Sequence, residues 1–468
     1  MADALESADV QGIVARAYPE LEAATYLPLS IGDAAAARRW LGSVAGAVTP
    51  ATERPEAVAL NLALTGSGLA RLGLAEEVLR MFSMPFLEGL AAGPRSRALG
   101  DVGPDAPARW AWGGPREPEV DAILMLYARD DAALATLVEE HGRALADHGL
   151  SVLVRLETSH VGGHEPFGFR DGISQPIVEG LSKSGPEANT VRNGEFVLGY
   201  PNEYGLYTDR PTLDPGADPE GVLPRDPQGS GRADLGRNGS YLVFRQLAQD
   251  VAGFWSFLDG ATRDDRGEGD AGRRRALAAK IVGRWPDGAP LALAPEDDPA
   301  LATANDFGYH REDPHGLRCP IGAHVRRSHP RDSLDPSPGS AESIAVGKRH
   351  RILRRGRKYG PPLSEEEALA RASGGEDERG LHFICLNGNI ARQFEFIQHT
   401  WQSNPNFAGL YGEPDPLVAT AGGATFTIPG DPVRRRVTGV PSFVSVRGGA
   451  YFFLPGLRAL RYLAALPG

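Results

Sequence analysis

The stretch YLPLSIGDAAAARRWLGSVAG, residues 26–46, sets the reading of the fold. Residues 26–31 form a short apolar run with strand character. Gly32 and Asp33 interrupt it, and the alanine-rich run behind them has helical spacing. Asp33 is the expected N-cap, since its carboxylate can accept a backbone N–H that the first helical turn leaves unpaired. The same unit recurs as ILMLYARDDAALATLVEEHG (123–142), with Asp130 or Asp131 as cap. It recurs again as YLVFRQLAQDVAGFWSFL (241–258) and LHFICLNGNIARQFEFIQHTW (381–401). The copies share a pattern and hardly any residues.

Further strands are expected at residues 10–15, 58–64 and 151–156. Two strand–helix units with extra strands, present twice, predict an α+β class built from duplicated ferredoxin-like domains. No strand is followed by G-x-G-x-x-G or a Walker A sequence, which argues against a nucleotide-binding fold. The expected division is an N-terminal ferredoxin-like domain at 1–183, a long surface loop or insertion at 184–240, and a C-terminal ferredoxin-like domain at 241–468. The middle segment is rich in Pro, Gly, Asn and Asp. DDRGEGDAGRRR (264–275) reads as a solvated charged stretch, and GGEDERG (374–380) as a loop. The closing AYFFLPGLRALRYLAALPG reads as a strand and a short helix.

Working outward, 468 residues with 41% hydrophobic and 23% charged side chains have ordinary globular composition. A net charge of −11 disfavours a general nucleic-acid binder. The two cysteines, Cys319 and Cys385, are too few for a disulfide framework and read as reduced, buried thiols. The N-terminal MADALESADV shows no signal peptide, and no apolar run reaches the ~18 residues of a membrane span. A cytoplasmic protein with no membrane partner is expected.

Three stretches could carry chemistry. GHEPFGFRDGISQP (163–176) presents Asp171 within a tight turn marked by Gly168, Gly172 and Pro176. Alone, this is a turn aspartate. CPIGAHVRRSHPRD (319–332) carries His324 behind two small residues, Gly322 and Ala323, that would let a flat ligand approach the backbone. An imidazole nitrogen is a standard axial ligand for haem iron, and Arg326 or Arg331 could pair with haem propionates. KRHRILRRGRKYGPPL (348–363) is a dense basic run. Ile352 and Leu353 before Arg354 imply that part of it turns inward, where an arginine acts as a fixed positive charge.

In this order and spacing, the three motifs resemble the dye-decolourising peroxidase family, in its larger, longer-looped branch. The resemblance runs over nearly the whole chain, including DVQGIVARAYPELEAATYLPL and VALNLALTGSGLARLGL. It implies a dimeric α+β barrel type of fold, with one haem b per chain held mainly by the C-terminal half. His324 matches the proximal iron ligand. Asp171 and Arg354 match the distal acid–base and charge-stabilising pair. Leu381 and Phe383 match apolar residues lining the haem pocket, and Ile173, Ser174 and Gln175 are expected beside the cofactor. Asp415, in the DPL stretch, is the candidate acceptor for the His324 ring N–H. The implied activity is reduction of hydrogen peroxide followed by one-electron oxidation of aromatic or dye-like substrates. Tyr359, Trp255 and Trp401 are conceivable electron relays. A monomer or homodimer is expected.

Other readings compete. A haem carrier or haem-processing protein, deferrochelatase-like, fits the same fold, but needs neither Asp171 nor Arg354. A non-haem metal site could use His160 and His164, though Gly162 and Gly163 between them disfavour a shared helical face. A polyanion surface could use residues 348–358, against the acidic total.

Overall fold

The computed structural model describes residues 4–182, 184–371, 377–419 and 423–467. Lys183, at the expected first boundary, and residues 374–376 of the GGEDERG loop lie outside them. Ten strands of one sheet frame the molecule: β1 (Ala23–Ile31), β2 (Val58–Leu64), β3 (Ala122–Ala128), β4 (Leu150–Val152), β5 (Leu156–Glu157), β6 (Ser240–Gln249), β7 (Leu353–Arg354), β8 (Arg357–Tyr359), β9 (Gly380–Asn387) and β10 (Val444–Leu454). Their order is β7-β9-β6-β10-β2-β3-β1-β4, with β8 also on β9 and β5 also on β1.

Each half of this order is the ferredoxin-like arrangement. In the first half, strand four lies beside strand one, then three, then two: β4-β1-β3-β2. The second half repeats it as β10-β6-β9-β7/β8. Helix α1 (Ala34–Val44) follows β1, α2 (Asp131–Asp147) follows β3, and α3 (Val251–Thr262) follows β6. All three are capped as their sequences require. Asp33 accepts from Ala36 N–H, Asp130 from Ala133 N–H and Asp250 from Gly253 N–H, each at 2.8 Å.

Both faces of the sheet are covered, which is why its strands read as continuous apolar runs. Leu124 and Leu126 of β3 face outward onto Trp40 and Leu41 of α1. Ile123, Met125 and Tyr127 face inward with Phe244, Ile384 and Phe452 of the second half. Tyr26 of β1 meets Phe244 at 5.4 Å and His382 at 5.6 Å. The two half-sheets therefore pack on each other. They are joined at one edge by the Phe453–Leu64 pair of β10 and β2, and at the other by Ser159 N–H to Lys358 O at 2.9 Å.

Four expectations change. Residues 10–15 are not a strand: Gly12–Ala15 forms a helical turn, anchored by Gly12 N–H on Thr49 O. The strand expected at 151–156 is broken into β4 and β5. Residues 184–240 are irregular but not superficial, because Val191, Phe196, Leu198, Leu213 and Leu235 enter the two cores. Arg210, itself buried, clamps this segment by pairing with Asp226 at 2.6 Å and with the buried Asp234 at 2.5 Å. The stretch 264–275 is not wholly solvated either. Its Arg274 is buried against Asp259 and Glu365.

Candidate functional site

The outward face of the second half-sheet floors a cavity. Alternate residues point the same way along a strand. Thus β6 contributes Arg245, Leu247 and Gln249, β9 contributes Leu381 and Phe383, and β10 contributes Val444 and Val446. The walls come from the turn around Asp171, from helix α4 (His324–Ser328) and from the π-helical segments Ala391–Glu395 and Ile397–Gln402.

Asp171 sits in a turn whose Gly168 and Gly172 take φ of 96° and 85°, a region open to glycine at little cost. Phe167 and Phe169 anchor the turn against α3, with Phe167 4.6 Å from Phe254. The carboxylate is half-exposed to the cavity and accepts from Arg354 Nη1 at 2.6 Å and from Gly172 N–H at 2.6 Å. Enclosure pushes its pKa up. The Arg354 charge and the hydrogen bonds outweigh that, so it lies below the usual carboxylate range.

His324 opens α4 and turns its ring into the cavity. Its Nδ1 bonds Asp415 Oδ2 at 2.9 Å, while Asp415 is fixed by the N–H groups of Leu417 and Val418. Burial lowers the histidine pKa, but the Asp415 carboxylate raises it above its ordinary value overall. Nδ1 is thereby committed, and Nε2 is the nitrogen left for a ligand.

Ile173, Ser174, Leu381, Phe383, Arg331 and Arg354 all line the cavity with Asp171 and His324. Three expected residues do not. Asp415 stands behind His324. Gln175 instead brackets the backbone of Arg354, accepting its N–H at 3.1 Å and donating to its carbonyl at 3.2 Å. Arg326 points away, spent on the carbonyls of Asp313 and Cys319. Gly322 and Ala323, expected to admit a flat ligand, also pack elsewhere: Gly322 lies against Leu410 and Phe426, and Ala323 is buried in a separate apolar cluster with Phe307 and Tyr309.

The sequence reading missed Arg284 and Arg351. Arg284 donates to Gly288 O, Ala304 O and Ser174 Oγ. Arg351 donates to Ser174 O and His329 Nε2, and Arg331 to Asn305 and Phe307. Among the described residues none of the three meets a carboxylate. Burial, with repulsion from neighbouring arginines, pushes the pKa of Arg284 down to about 10 and that of Arg351 down to about 9. His329, beside them, keeps a buried Nδ1 without a partner. Buried cations without counter-charge are costly, so this end of the cavity suits an anionic ligand. With its apolar walls and the free Nε2 of His324, the donor set fits a haem: an axial ligand, flat apolar packing and cations for two propionates.

The rival sites find less support. Among the described residues no group of three His, Cys, Asp or Glu could hold a bare metal ion, and His160 is exposed, facing Asp131. The basic run 348–358 is turned inward. Arg355 bonds the carbonyls of Ile13 and Val14, and Arg357 that of Tyr18. Tyr359, Trp255 and Trp401 are all buried, as are both cysteines, which are unpaired. No helix among the described residues is long and apolar enough to cross a membrane.

No protein-family model matches the chain. It is 32% identical to a dye-decolorizing peroxidase of Mycena epipterygia, over 88% of this chain and 77% of the relative. It is 30% identical to a multifunctional dye peroxidase of Amycolatopsis, over 94% and 92%. The crystal structure of a fungal DyP-type peroxidase from Auricularia auricula-judae superposes with a TM-score of 0.80 at 27% identity, covering 99% of this chain and 100% of that one.

Proposed function

The chain belongs to the dye-decolourising peroxidase family, and we propose from that premise that its cavity holds one haem b and that Asp171, Arg354 and His324 carry the reaction with hydrogen peroxide. It is an oxidoreductase that uses peroxide as electron acceptor. One observation carries the residue assignment. The Arg354–Asp171 pair and the Asp415-backed ring of His324 face the same cavity.

The haem would be held through His324 Nε2 and would supply the redox iron, the source of the two electrons that break the O–O bond. Arg284, Arg331 and Arg351 would hold its propionates, and Ile173, Leu381 and Phe383 would pack on its ring. Asp171, ionised by Arg354, accepts a proton from the near oxygen of peroxide and returns it to the far oxygen, which leaves as water. Arg354 stabilises the negative charge that develops as the O–O bond breaks, and does so more strongly than it would in water. Asp415 makes the His324 imidazole a stronger electron donor. Aromatic or dye-like molecules then return two electrons singly. A haem carrier would need no proton-moving carboxylate beside a fixed cation, so that reading is not favoured.

The test is direct. The purified chain titrated with haem gives a Soret band, and His324→Ala loses it. Asp171→Asn keeps the band but bleaches dye slowly with peroxide. An unchanged spectrum in the first variant, or wild-type bleaching in the second, overturns the assigned roles.

A further inference from the structure

Glu165 is a half-buried acid to which the chemistry above gives no task. It lies in the same turn as Asp171 and also lines the cavity. Its Oε1 accepts Phe169 N–H at 3.0 Å. Its Oε2 accepts Phe167 N–H at 3.1 Å and Gln249 Nε2 at 2.8 Å. The Glu165 backbone closes the turn through its N–H to Phe169 O at 2.9 Å and its carbonyl to Gly168 N–H at 2.8 Å. The side chain thus spans the segment that delivers Asp171.

All three donors to the carboxyl, two backbone N–H groups and the Gln249 amide, are neutral, and among the described residues no cation pairs with it. Of the charges on the same cavity lining, Arg245 of β6 is paired with Asp101. The turn itself carries His164, Arg170 and Asp171. Arg354 is engaged with Asp171, Lys358 of β8 with the carbonyls of Gly162 and His164, and Asp250 caps α3. The α3 side presents Phe254, and Phe443 lies beside it. Burial pushes the Glu165 carboxyl up to about 7, and the Asp171 charge adds to that.

Gln249 supplies a second geometric clue. Its Oε1 is buried without a partner, next to the Nε2 that holds Glu165. Rotating the amide presents Oε1 to a protonated Glu165, and the observed rotamer presents Nε2 to an ionised one. The pair accommodates both charge states without exposing either group.

We propose that Glu165 is a positioning residue for Asp171, and that the proton it carries sets how strong a base Asp171 is. An ionised Glu165 disfavours a second negative charge beside it and so strengthens the attraction of Asp171 for a proton. A protonated Glu165 removes that push while keeping the turn in place. The inference rests on Asp171 being the base that takes the peroxide proton.

The test uses the haem-loaded full chain and its Glu165→Gln variant. Infrared difference spectra across neutral pH show a protonated-carboxyl band that is lost in the wild type as pH rises through about 7 and is absent from Glu165→Gln. Gln249→Leu, which removes the side-chain donor to the ionised form, moves that midpoint up by about one pH unit. Rapid-mixing rates with peroxide rise several-fold over the same range in the wild type and stay flat at the low-pH level in Glu165→Gln. A band that titrates at the ordinary glutamate value, or a rate step that survives in Glu165→Gln, overturns the proposal. If Asp171→Asn reacts at the wild-type rate while the infrared band persists, the base assignment has failed and this inference falls with it, although Glu165 still titrates where expected.

Discussion

Arg354 Nη1 donates to Asp171 Oδ1 at 2.6 Å across 183 residues of sequence, and Gln175 holds the Arg354 backbone on both its N–H and its carbonyl. The two side chains of the proposed catalytic pair are therefore fixed to each other before any substrate arrives. Such preorganisation is what makes a charge effective in a dry site.

Replacing Arg354 by Leu removes the charge that keeps Asp171 ionised. The reaction with peroxide should slow by roughly 10²–10³-fold. The sign of the pH effect follows from the depressed pKa of Asp171. In the wild type the base stays competent below the ordinary aspartate value of about 3.9 and fails only as pH falls through its lowered one. In Arg354→Leu the acid limb should move to higher pH. Rapid-mixing rates against pH check this; an acid limb that does not move sinks it.

Asp415→Asn keeps the shape around His324 but removes the carboxylate on Nδ1. Second-layer partners of a metal-bound histidine are commonly worth about 10–100-fold in affinity. Haem should transfer faster from this variant to an apo-globin acceptor, while the fold, judged by circular dichroism, is unchanged.

Arg351→Met should have opposite effects on two measurements. Arg351 is buried beside Arg331 and Arg354 with no carboxylate partner among the described residues, and burial and their repulsion depress its pKa. The haem-free chain should gain about 1 kcal/mol in a urea melt, because an uncompensated buried charge is gone. The loaded chain should lose haem faster. Destabilisation in both states would mean that Arg351 is a packing residue only.

Asp33→Ala tests the fold away from the cavity. Losing the cap on Ala36 N–H should cost about 1 kcal/mol in denaturant unfolding and leave the haem spectrum untouched.

The sequence made visible what local pattern controls. The four strand–helix units and their Asp33 and Asp130 caps follow from short-range spacing, and His324 with Asp415 from motif resemblance. Residues 10–15 misled because a short apolar run has no decisive period, and the contact of Gly12 N–H with Thr49 O that fixes the helical turn is long-range. Arg326 misled because α4 advances about 100° per residue, so two positions after His324 is the far side of the helix. Ser328, four positions on, returns to the cavity, and Arg331 reaches it past the helix end with a φ of 57°. Arg284, Arg351 and His329 carry no local signature. Only tertiary packing assembles them, and their meaning lies in the lack of a counter-charge among the described residues.

The position of β10 in the sheet governs the order in which the site can be made. Residues 444–454 form the last of the ten strands in sequence, yet β10 lies between β6 and β2 and joins the two half-sheets. A ribosome emits the first half-sheet, the turn with Asp171, and then His324 and Arg354 well before that connecting strand. Pairings of such long sequence separation form late and slowly. The floor laid by Val444 and Val446 is also missing until then. Until that strand docks, two half-sheets each expose an open edge, so closing the cavity competes with aggregation.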